Sequence, residues 1–105
     1  MKPRKSKEMA TTLRQKGFQQ IEGHHHLFIL HVNGIPTSVR TFLSHGAKEY
    51  GDNLLAKIKL QMHLQTAQNL DNFFDCPMSA EDYLEILRTN AILPPSVDVS
   101  SPETP

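Results

Sequence analysis

Apolar positions recur along the chain at two spacings, and each spacing implies an element. Met9, Ala10 and Leu13 fall on one side of a helix over Lys7–Lys16. Ser6 stands as its N-cap, Glu8 lies in its first turn, and Lys16-Gly17 suits its end. Phe18–Glu22 then reads as a brief strand, interrupted by Gly23. His24–Val32 is the clearest strand of the chain. Asn33-Gly34 follows it, a dipeptide that tolerates the positive φ angles of a type I′ hairpin turn. Ile35–Leu43, rich in β-branched residues, returns as a third strand with Pro36 near its beginning.

After the loop Ser44–Gly51 the spacing becomes helical again. Asp52 is placed to cap a helix whose apolar repeat is Leu54, Leu55, Ile58 and Met62. The order α-β-β-β-α is complete by about residue 65. Its simplest packing is an α+β fold, a three-stranded antiparallel sheet with both helices on one face. Beyond it, Thr66–Phe74 either extends the second helix or forms a short one. Ser79-Ala80-Glu81-Asp82 opens a further helix to about Asn90 with a capping-box pattern. The expected division is a basic flexible arm at 1–7, a core at 8–65, a helical acidic extension at 66–93 and an unpacked Pro-rich tail at 94–105.

Composition narrows the class. In 105 residues there is room for one small domain. The single Cys76 excludes an internal disulfide and a cysteine-rich zinc site, and points to a reduced thiol in a cytoplasmic protein. No apolar run approaches the length of a membrane span, and no apolar stretch follows the basic start as in a signal peptide, so no membrane partner is expected. The zero net charge is unevenly spread. Residues 1–65 carry ten Lys/Arg and four Asp/Glu, residues 66–105 one and seven. A basic front half suits a polyanion such as RNA, and the acidic segment is expected to fold back over it.

Three short motifs, in order and at matching distances, resemble the HicA family of bacterial toxin–antitoxin systems. The first is Leu13-Arg14-Gln15-Lys16-Gly17-Phe18. The second is Gly23-His24-His25-His26-Leu27-Phe28, where the family typically has Gly-Ser-His-His-hydrophobic-Phe. The third is Ser44-His45-Gly46-Ala47-Lys48-Glu49, followed by the apolar repeat of Leu54, Leu55 and Ile58. The resemblance covers about residues 8–65. It implies a fold like that of double-stranded-RNA-binding domains, an mRNA-cleaving activity, a HicB-like antitoxin as protein partner, and a catalytic role for His25. The chain departs from the family in having His24 where serine is usual, and in the extension after residue 66.

Metal-independent RNA cleavage needs a base for the 2′-hydroxyl proton and an acid for the departing 5′-oxygen. Histidine, with an ordinary pKa of about 6.5, serves either role without a cofactor. His25 is the candidate base or acid, and Lys16, Arg40, His45 and Lys48 are candidate contacts to phosphate. Other readings stay open. A non-catalytic RNA-binding domain would need the cations alone, and a protein-interaction module would use the acidic extension. His24 and His26 share a strand face and read as structural, or with His45 or His63 as zinc ligands. Both faces of their strand carry apolar residues, so one is left for a partner or for a homodimer.

Overall fold

Asn33 and Gly34 take φ of 55° and 80°, and the strands on either side pair as the turn requires. The computed structural model describes residues 3–23, 25–43, 49–75 and 77–93. Strand β1 (Arg4–Lys5) leads into α1 (Ser6–Gln15). Strands β2 (Phe18–Glu22), β3 (His26–Val32) and β4 (Ile35–Leu43) follow, then β5 (Glu49–Tyr50), α2 (Asp52–Gln61), α3 (Ala67–Asp75) and α4 (Ala80–Thr89). The chain is thus α+β, with β2-β3-β4 a three-stranded antiparallel sheet and β1-β5 a separate two-stranded one.

Several boundaries differ from those the sequence predicts. Lys5 and Gly51, not Ser6 and Asp52, occupy the N-cap positions of α1 and α2, and neither cap has a side-chain bond. The clearest strand begins at His26, so His25 lies in the β2–β3 turn. The segment expected at 66–74 is a separate helix, Ala67–Asp75, because the chain turns at His63, where φ is 60°. The capping box at Ser79 is made reciprocally with Asp82, as its pattern predicts.

The period-2 pattern resolves into one closed and one open sheet face. Phe18, Phe28, Leu30, Val39 and Leu43 are buried, together with Met9 and Leu13 of α1 and Leu55 and Ile58 of α2. Thr41 is also buried, and its hydroxyl bonds to Gln61 Oε1 at 2.6 Å, tying β4 to α2. Leu54, expected inside, stays exposed. Gly17, at φ 105°, lets α1 turn closely into β2; a Cβ there would stand 3.4 Å from Leu30.

Packing is not confined to residues 8–65. Phe18 stacks on Tyr83 (6.0 Å) and meets Phe73 edge-on (6.3 Å), so α3 and α4 belong to the same core as the sheet. Nor is the start of the chain wholly a free arm. Arg4 pairs with Tyr50 across β1-β5, and its side chain is buried. Its guanidinium grips both oxygens of Asp75 (2.8 and 3.0 Å) and Asp71 (2.7 Å), over the Phe74 ring. Those carboxylates raise its pKa further. The tail at 94–105 and Cys76 lie outside the described residues.

Two outcomes are expected. Arg4→Ala removes the guanidinium that Asp71 and Asp75 share, and should lower unfolding free energy by roughly 2 kcal/mol. That is less than a fully buried pair costs, because Asp75 is 38% exposed. Urea denaturation of the two proteins measures it. Tyr83, whose hydroxyl donates to the Met62 carbonyl at 2.8 Å, is held above its ordinary pKa by burial. Above about pH 10 the unfolded chain releases this proton while the folded one keeps it, so stability falls as pH rises, by up to about 1.4 kcal/mol per unit. Tyr83→Phe should lack that slope in denaturation series from pH 9 to 11, while starting about 1 kcal/mol lower for the lost bond.

Candidate functional site

The open face of the sheet is laid out by its register. Ile21, Leu27 and Phe42 form one row across β2, β3 and β4, and Gln19, Ile29 and Arg40 form the next. Their neighbours in sequence, Phe28, Thr41 and Leu43, point into the core, so alternation turns these six side chains outward. Ile21 is 45% and Phe42 41% exposed, and Arg40 is exposed beside them. The formal charge on this face is Arg40's alone among the described residues.

His25 sits at the edge of the face. It is exposed, one residue before β3, and its ring meets Phe42 edge-on with centroids 6.3 Å apart. The tight β2–β3 turn and the pairing of Leu27 with Phe42 bring the two rings together. His26 has a different role. Its Nδ1 donates to the Glu22 carboxylate at 2.8 Å, across the first pair of the hairpin, as suits a structural histidine. His31 Nδ1 donates to the Ile29 carbonyl at 3.0 Å.

The predicted phosphate contacts divide. Arg40 shares the open face with Phe42, on the strand whose Phe42 touches His25. Lys16 turns inward instead. Its ammonium donates to the carbonyls of Phe73 and Met78 (2.6 Å for the latter) and lies 4.7 Å from the Phe73 ring centre. There it serves the carbonyl end of α3, where a cation is favoured. His24, His45 and Lys48 lie outside the described residues. The sequence reading passed over Phe42, although its spacing of two from Arg40 and its place opposite Leu27 mark it as a member of the same face.

Other sites carry less. A groove of about 550 Å³ between α3 and α4 is lined by Asn69, Asn72, Asp82, Glu85 and Ile86 among others, and holds none of the predicted site residues. Its carboxylates disfavour a polyanion. Among the described residues, no group of three or more His, Cys, Asp or Glu is placed to hold a metal ion, and no helix is long and apolar enough to cross a membrane.

Lys16→Met keeps the apolar stem and removes the ammonium. It should cost about 1–2 kcal/mol in denaturation experiments, for the loss of two charge-assisted bonds. Compared with protein-family models, curated proteins and solved structures, the chain matches none.

Proposed function

We propose that the chain is an RNA-cleaving module of HicA-like type in which His25 carries the proton transfer. The observation that carries the reading is the exposed imidazole of His25 at the rim of an open sheet face, with its ring set against Phe42 and with Arg40 on that face. The three motifs of the sequence support it, because His25 is the residue to which the resemblance attaches the chemistry. His25 takes the 2′-hydroxyl proton, the 2′-oxygen attacks the adjacent phosphorus, and the 5′-oxygen leaves with a proton from solvent. The products are a 2′,3′-cyclic phosphate and a 5′-hydroxyl. Arg40 faces the charge that builds on the phosphorane.

Cleavage of a generic RNA by the purified protein in EDTA tests this. The wild type should yield cyclic-phosphate ends, and His25→Ala should be slower by a factor of about 10² or more. Equal rates for the two proteins, or no cleavage where RNA is bound, would transfer the function to a non-catalytic RNA-binding domain. Arg40 and the exposed Phe42 favour that second reading, since both act in binding without any proton transfer.

A further inference from the structure

We infer that the open sheet face binds single-stranded RNA, with Phe42 as the platform on which a base stacks and Arg40 as the adjacent phosphate contact. The inference rests on the proposed RNA-directed function and names the form of RNA it takes. Ile21, Leu27 and Phe42 make a continuous apolar row from edge to edge of the sheet, and His25 closes one end of it with a second ring. A flat row of this kind offers its surface to the faces of bases. In a duplex those faces are already stacked on one another and out of reach; in a single strand they are open.

Charge selects the same partner. Among the described residues Arg40 brings the one formal charge of the face, Gln19 supplies hydrogen bonds beside it, and the acidic residues of α3 and α4 have partners of their own. Asp71 and Asp75 bind Arg4, Asp82 caps α4, and Glu81 and Glu85 reach Arg88 at 3.3 and 3.5 Å. A second copy of the chain fits less well. Six outward side chains fall short of the roughly 20–30 residues a side in a stable protein interface, and a two-fold axis through the face would bury two copies of Arg40 together. The face accommodates about two or three nucleotides.

The chain contains no tryptophan, so Phe42→Trp places a sole indole on the face. The test uses the full chain with a 12-nucleotide 2′-O-methyl RNA, which lacks the nucleophilic hydroxyl and reports binding apart from cleavage. Expected are at least tenfold tighter binding to the single strand than to its duplex, quenching of the Phe42→Trp indole by the strand, and a tenfold or greater loss with Phe42→Ala. An oligomer abasic throughout should bind more weakly and be indifferent to Phe42→Ala. Phe42 is exposed, and circular dichroism melts check that its variants remain folded.

Tighter binding of the duplex, or an unchanged affinity in Phe42→Ala, would overturn the inference. So would sedimentation showing a dimer that Phe42→Glu disperses, which would give the face to a second copy. Failure of the catalytic reading looks different: Phe42-dependent binding of the single strand persists while authentic RNA is left uncut. Conversely, His25-dependent cleavage with Phe42-independent binding overturns the platform and leaves the chemistry standing.

Discussion

Phe18 is the side chain on which the architecture turns. It is the first residue of β2, and it meets Phe73 edge-on and Tyr83 nearly face to face, while Phe73 and Tyr83 touch each other at 5.0 Å. Three rings from a strand and two helices thus make one contact, each burying a large apolar area. The Tyr83 hydroxyl reaches the Met62 carbonyl just beyond α2, so the same cluster holds four elements together. Its buried polar group is satisfied, which keeps the cost of burying a phenol low. Removing α3 and α4 would uncover Phe18 and the sheet with it.

This closure on one side leaves the other side open. α1, α2, α3 and α4 all contribute residues to a single core against the face of Phe28 and Leu30, while Leu27 and Ile29 on the other face stay only half-buried. The functional reading follows from that asymmetry. His25 gains its setting because β3 starts at His26, which lets the turn present an imidazole beside Phe42 rather than bury it in a strand. Glu22 and His26 brace the turn from the first pair of the hairpin.

The opposite charges of the two halves have a use inside the molecule as well. Arg4 and Lys16, both from the basic half, are drawn to α3: Arg4 to the carboxylates of Asp71 and Asp75, Lys16 to the carbonyls near its end. Among the described residues the acidic segment meets basic ones at Arg4 and Lys16, in contacts that are structural. Desolvating Arg4 is offset by three charge-assisted bonds, while its Nε stays buried without a bond to any described residue. Arg40, on the open face, keeps its charge toward solvent.

Much of the fold was legible because it depends on local rules. The hairpin at Asn33-Gly34, the limits of β2 and β4, and the capping box at Ser79 each follow from a few adjacent residues. The pair β1-β5 was not legible, since two-residue strands show no alternation. Nor was the fate of Lys16, which reads as a surface cation until Phe73, fifty-seven positions later, arrives beside it. Of the candidate site, sequence alone singled out His25 and Arg40. It did not determine which side of β3 faces water, because Leu27 and Ile29 are as apolar as Phe28 and Leu30. Only the tertiary structure decided that: the aromatic residues of α3 and α4 reach the Phe18 side of the sheet, and burial there leaves Phe42, Arg40 and His25 on the other.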